Sequence, residues 1–344
     1  MAVIDNSRTA DTSSHLMARI QRYEAPLRYV WNAILSTRYY RITMPEKDVV
    51  LDLFLRWLND ALDRPFRVAE PHESGAVATD GERSLAVEVR PLLGPVEDSD
   101  WLVARDRLTQ QIADAVPAPI AVWVPAGADL PAGEPAASEF VEHVRQAAVK
   151  LGPHERSHVP LPITLFLRKT VDSGSVVSVL GGLNPHWARF TERVRGTFDM
   201  DSTRLHRLPE SSEHLEALIE TVIERSAKLE PGQWAEIETI DAWTVQRLAD
   251  GAQTTLVAVP ASEARDLGLV VRRNLRRILG EAAPTLRGPG AELKALVLLG
   301  YYGRIEEEGA SIAMRGFSPA LYSGIDFVVL VADGLVKPLI QTPA

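Results

Sequence analysis

The chain carries the same ordered pattern twice. Asp80-Gly81 and Asp250-Gly251 stand 170 positions apart, and each pair lies between two strand-like segments. Shifted by that distance, Val87-Glu88-Val89-Arg90 falls on Val257-Ala258-Val259-Pro260. Self-similarity at a fixed spacing restricts a chain to folds in which one supersecondary unit recurs. With 344 residues there is length for two ordinary domains.

The elements around the first hairpin follow from periodicity. Val50, Leu53, Phe54, Trp57, Leu58 and Ala61 form one helical stripe, and Thr43 with Glu46 reads as a capping box at its start. A short strand, Phe66–Ala69, follows Asp63-Arg64-Pro65. A hairpin of Gly75–Thr79 with Ser84–Arg90 then turns at Asp80-Gly81. Next come a helix over Ser99–Ala115, a buried strand over Pro119–Val124, a helix over Ser138–Leu151 and a strand over Ile163–Arg168. That last strand pairs with Ser175–Leu180 across Asp172-Ser173-Gly174.

The second half repeats the order. A helix carries Leu215, Leu218, Ile219, Val222 and Ile223, and a strand covers Trp234–Ile240. A hairpin of Thr244–Leu248 with Thr254–Val259 turns at Asp250-Gly251. A helix over Ser262–Glu281, a strand over Leu293–Leu299 and a last hairpin at Asp333-Gly334 complete the chain. Before all of this, a polar start leads into a helix over Ser14–Ser36 and the basic aromatic string Thr37–Arg41. The predicted division is 1–42 as N-terminal tail and helix, 43–182 as the first module and 183–344 as the second.

Composition narrows the class. The chain contains no cysteine, which excludes disulfide scaffolds, thiolate zinc sites and cysteine nucleophiles. No run approaches the ~18 uncharged apolar residues of a spanning helix, and Met1–Ser14 lacks the apolar region of a signal peptide. The expectation is a cytoplasmic protein with no membrane partner. A formal charge of -9 argues against a generally basic surface, though not against a local basic face.

Chemistry concentrates in the first hairpin. A two-residue turn at Asp80-Gly81 sets Gly75 opposite Ala86 and Glu73 opposite Glu88. Opposed carboxylates repel unless a cation lies between them, and carboxylate oxygens suit Mg²⁺ or Mn²⁺. Arg90 shares the Glu88 face and supplies a fixed positive charge, and Glu46 could complete the set. The plainer alternative for Glu88 and Arg90 is an ion-paired strand face.

A helix with an acid, a strand, a hairpin bearing acid-x-base in Leu85-Ala86-Val87-Glu88-Val89-Arg90, a helix and a strand together resemble the core of the PD-(D/E)xK restriction-endonuclease-like superfamily. The resemblance spans residues 43–125. It implies an α/β fold of two tandem α-β-β-β-α-β modules, with mixed sheets flanked by helices. It also implies a metal-dependent nuclease in which Glu88 takes the (D/E) position and Glu73 that of the aspartate. Glu46 resembles the first-helix acid of some members, and Gln110 or Gln111 their helix glutamine. Arg90 stands where the family has lysine and does not lose its proton at usable pH.

In the second copy Ala258, Pro260 and Trp243 replace Glu88, Arg90 and Glu73, so the acidic site is degenerate there. Its helix carries Arg265, Arg272 and Arg276 on one side, with Arg273 and Arg277 on the flank, which is the form of a nucleic-acid grip. The functional expectation is a nucleic-acid-binding protein, for DNA before RNA, that hydrolyses phosphodiesters if active. The alternative is an inactive nuclease-like scaffold with protein partners in a defence or mobile-element assembly.

Two further motifs carry less. His154-Glu155-Arg156-Ser157-His158 matches H-E-x-x-H, but Gly152-Pro153 and Pro160 leave barely one turn of helix for it. Asp199-Met200-Asp201-Ser202 has the spacing of a phosphotransfer nucleophile without a buried strand before it.

Overall fold

The computed structural model describes residues 43–92, 99–125, 128–131, 133–180, 187, 190–207, 209, 211–258, 267–287, 290–300 and 314–341. The helix expected over Ser14–Ser36, the string Thr37–Arg41 and Arg265 lie outside these residues.

The elements run α1 (Met44–Leu62), β1 (Arg67–His72), β2 (Gly75–Thr79), β3 (Ser84–Pro91), α2 (Ser99–Ala115), β4 (Ile120–Trp123), α3 (Ala136–Ala148), β5 (Arg156–Val171), β6 (Ser175–Leu180) and β7 (Gly196–Asp201). They continue through α4 (Ser212–Ala227), β8 (Trp234–Arg247), β9 (Thr255–Val257), α5 (Leu267–Arg287), β10 (Leu293–Leu299), a 3₁₀ turn (Pro319–Leu321), β11 (Phe327–Ala332) and β12 (Leu335–Gln341). The class is α/β, with two mixed six-stranded sheets ordered β1-β2-β3-β10-β11-β12 and β6-β7-β5-β8-β4-β9.

The sheets do not follow the two halves of the chain. β3 pairs in parallel with β10, so Glu88 lies beside Leu296, more than 200 residues away. β4, from the first half, lies between β8, antiparallel to it, and β9, parallel to it. Each hairpin region thus takes its parallel neighbour from the other half.

Two expected hairpins are opened by this arrangement. The segments on either side of Asp250-Gly251 do not pair, because β4 is inserted between β8 and β9. Likewise β6 pairs with β7 rather than β5, although the turn before it is present. The Thr197 hydroxyl donates to the Ser173 carbonyl (3.0 Å) and the Gly196 amide to that of Gly174 (2.9 Å), which fastens the connection to β7. The other two hairpins close, the one at Asp333-Gly334 with the expected two-residue turn. Asp333 and Gly334 both have positive φ (55° and 72°), the geometry of a two-residue type I′ turn.

The first hairpin closes in a different register from the one expected. Asp80 caps a four-residue loop, its carboxylate accepting from the amides of Glu82 (2.9 Å) and Arg83 (2.7 Å). Thr79 therefore faces Ser84 and Gly75 faces Glu88. Every pairing moves by two residues, which keeps each side chain on its expected face but changes its neighbour.

Helix α1 shows how the core is built. Its predicted stripe is present, with Val50, Leu53, Phe54 and Leu58 buried, yet Val49, Leu51 and Leu55 are buried as well. The cluster around it contains Leu85, Val87, Leu296 and Val329 of the first sheet together with Ala121, Trp123 and Val257 of the second. A helix covered on two sides needs apolar residues on two sides. Burying side chains such as Phe54 and Leu58 contributes roughly 1.5–3 kcal/mol each.

The second sheet has two further cores. One joins β4, β8 and β5 to α2 and α3; the other places Leu218, Ile219 and Val222 of α4 on Leu165, Phe198 and Ile237. Between them lies the carboxylate of Asp241. It accepts from the His206 amide (3.1 Å), the Arg207 amide (2.9 Å), the Trp243 indole (2.9 Å) and His206 Nδ1 (3.0 Å). The Arg207 side chain bonds Thr244 Oγ1 (2.6 Å) and forms an ion pair with Asp333, linking the β11–β12 turn to the second sheet.

Candidate functional site

Strand β3 presents Glu88 and Arg90 on one face, as its alternation requires. Glu88 is 1% exposed, and its Oε1 accepts from Arg90 Nε at 2.7 Å, with the Arg90 Nη2 closing the ion pair. Its Oε2 is buried without a hydrogen-bond partner. Burial pushes the Glu88 carboxyl above its ordinary value of 4.5; Arg90 opposes this and the charge of Glu281 adds to it. Gly75, directly across the ladder, allows this close pairing: a Cβ there would meet the Val87 carbonyl.

Helix α5 packs on β3. Asn274 Nδ2 donates to the Leu92 carbonyl (3.1 Å), and Arg277 pairs with Glu281 one turn on (2.9 Å). The predicted arginines divide accordingly. Arg272, Arg273 and Arg276 are exposed, while Arg277 is half-buried and committed to Glu281. Arg272 also lies over the Phe317 ring at 6.0 Å. Glu281 was missed in the sequence; its position four residues after Arg277 was the available signal.

The other predicted acids go elsewhere. Glu46 is buried, but its Oε2 accepts from the Thr43 amide (2.9 Å) and hydroxyl (2.8 Å), so it acts as the capping-box residue. Glu73 does not oppose Glu88. It lies in the two-residue turn between His72 and Gly75, exposed, next to Ser74, whose carbonyl accepts from the Val89 amide (2.7 Å). The neighbouring His72 carbonyl holds the buried Lys47 ammonium (2.8 Å), and burial lowers the His72 pKa, with Lys47 adding to the effect.

Among the described residues, no three His, Asp or Glu side chains converge as a metal site would require. Glu46 is held by its own helix terminus and Glu88 by Arg90. The side chains present therefore do not fit a divalent cation, which needs several oxygen donors around one point.

The remaining motifs resolve simply. His158 lies in the extended strand β5, and His154 precedes it with φ 67°, so the two imidazoles share no helix face. Asp199 and Asp201 alternate with the buried Phe198 and Met200 along β7. Gln110 Nε2 donates to Asp114 (2.8 Å), within α2. A cleft of about 830 Å³, lined by His158, Arg207, Ser211, His214, Glu238 and Ile240, had no sequence signal, because its walls come from separate elements.

Comparison with models of known families, with curated proteins and with solved structures returns no match. Among the described residues, no helix is long and apolar enough to cross a membrane.

Proposed function

We propose that the protein binds nucleic acid, DNA before RNA, through α5, on a nuclease-like core that does not hydrolyse it. The observation carrying this reading is the exposure of Arg272, Arg273 and Arg276 along the solvent side of the helix that covers the Glu88 strand. Guanidinium groups spaced along one helix face match a phosphate backbone, where they act largely through counterion release. The order α1-β1-β2-β3, then α5 and β10 parallel to β3, supports the resemblance to the PD-(D/E)xK core, with the last helix and strand drawn from the other half of the chain. The Glu88–Arg90 pair supports the absence of hydrolysis, since the carboxylate is occupied by a permanent cation.

Fluorescence anisotropy with single- and double-stranded oligonucleotides tests the binding. Affinity should fall with salt, and the triple variant Arg272→Glu, Arg273→Glu, Arg276→Glu should abolish it. Equal affinity of the triple variant and the parent would refute the reading. A plasmid-nicking assay with Mg²⁺ or Mn²⁺ should show no cleavage; cleavage lost in Glu88→Ala would restore the enzyme. A second reading, a scaffold with protein partners, is favoured by the exposed Phe166, Trp234 and Leu180 of the second sheet.

A further inference from the structure

Among the described residues the two sheets end in four edge strands, and three are protected against pairing with another chain. β1 carries Arg67, Glu70 and Pro71 and has a bulge between Val68 and Glu70. β12 carries Lys337 and Pro338, opposite a register shift at Val328 and Val329. β9 is three residues long. Charge, proline, bulges and shortness are the ordinary means of blunting an edge.

β6 has none of them. Its sequence is Ser175-Val176-Val177-Ser178-Val179-Leu180, without charge or proline, and it pairs with β7 in unbroken register. Val176 and Leu180 are 56% and 65% exposed. The carbonyls of Gly174 and Leu180 accept from Gly196 and Ser202 on the β7 side, so even-numbered residues direct their backbone groups inward. Those of Ser175, Val177 and Val179 then point away from the sheet. Among the described residues no strand meets that edge.

We propose that β6 is the dimer interface of this protein, pairing antiparallel with β6 of a second copy about a two-fold axis at Ser178. An axis normal to the sheet keeps outer side chains on one side, so the two strands must align residues of equal parity. With Ser178 on the axis, Val177 exchanges both backbone hydrogen bonds with the partner's Val179. On the exposed face Val176 meets the partner's Leu180, and Ser178 meets the partner's Ser178. Every apolar side chain thus faces an apolar one. The strand is neutral and meets itself without repulsion. The acids Asp199 and Asp201 lie one strand inward on β7; at three strand spacings Asp199 is roughly 14 Å from its symmetry mate and Asp201 is farther from its own, beyond the ~10 Å screening length at 0.1 M salt.

Sedimentation velocity over a micromolar concentration series tests the interface. The parent should be a reversible dimer. Val176→Lys with Leu180→Lys sets ammonium groups against each other across the axis and should weaken the dimer at least tenfold. Both positions are exposed, so the fold should be retained, checked by circular dichroism. Val176→Lys with Leu180→Glu sets opposite charges against each other in this register and should recover dimerisation. If the double lysine variant misfolds, Ser178→Glu provides an independent repulsion at the axis. A monomeric parent, a dimer that survives these repulsive substitutions, or a Lys/Glu variant no tighter than the double lysine variant would each overturn the proposal.

Discussion

Gly75→Ala probes the register on which the Glu88 site depends. In the observed ladder Gly75 lies opposite Glu88, and an added Cβ would overlap the Val87 carbonyl oxygen and lie 2.9 Å from its carbon. The obstacle is backbone, so no rotamer change relieves it. The strands must separate, which strains packing by about 1–3 kcal/mol and weakens the adjacent Val89 N–H to Ser74 bond (2.7 Å) at about 1 kcal/mol more. The expected loss is about 2–4 kcal/mol, measured as a lower urea midpoint at unchanged slope. In the register of a two-residue Asp80-Gly81 turn, Gly75 would face Ala86 instead. A loss below roughly 0.5 kcal/mol, the range of an ordinary surface change, would refute the observed pairing.

Three further outcomes follow from the same geometry. Because the folded pKa of Glu88 is raised, its contribution is most favourable below the unfolded value and is lost as pH rises through the folded one. Glu88→Gln should therefore gain stability relative to the parent as pH increases upward from about 4.5; a pH-independent difference in unfolding free energy would contradict this. Asp241→Ala leaves four donors, two of them buried and two part-buried, without their acceptor and should cost about 3–5 kcal/mol by chemical denaturation, while a cost under about 1 kcal/mol would show that water replaces the carboxylate. Millimolar Mn²⁺ should leave the melting temperature of the parent and of Glu88→Ala equally unchanged, and a rise confined to the parent would reveal a bound cation.

Much of the local structure was legible in the residues. The Thr43–Glu46 box, the stripe of α1, the bounds of β2 and β6 and the turn at Asp333-Gly334 all follow from contacts within a few positions of each other. Legible too was the face shared by Glu88 and Arg90, because strand alternation survives a two-residue change of register. Glu46 had two readings, as a capping-box residue and as a member of a metal set, because one carboxylate serves equally well in either, and only its partners distinguish them.

What the residues could not convey was which strands become neighbours. An Asp-Gly pair reverses the chain, but a reversed chain leaves room for another strand if its connection is long enough, as β4 between β8 and β9 demonstrates. The parallel pairing of β3 with β10 depends on hydrogen bonds between backbones about 200 residues apart, and backbones carry no sequence label. The succession of helices and strands, the faces of its strands and the positions of its turns were therefore set by the sequence alone. Its neighbours, its register and the burial of Glu88 beneath α5 were decided only when the whole chain came together, because each depends on which distant surface arrives to exclude water.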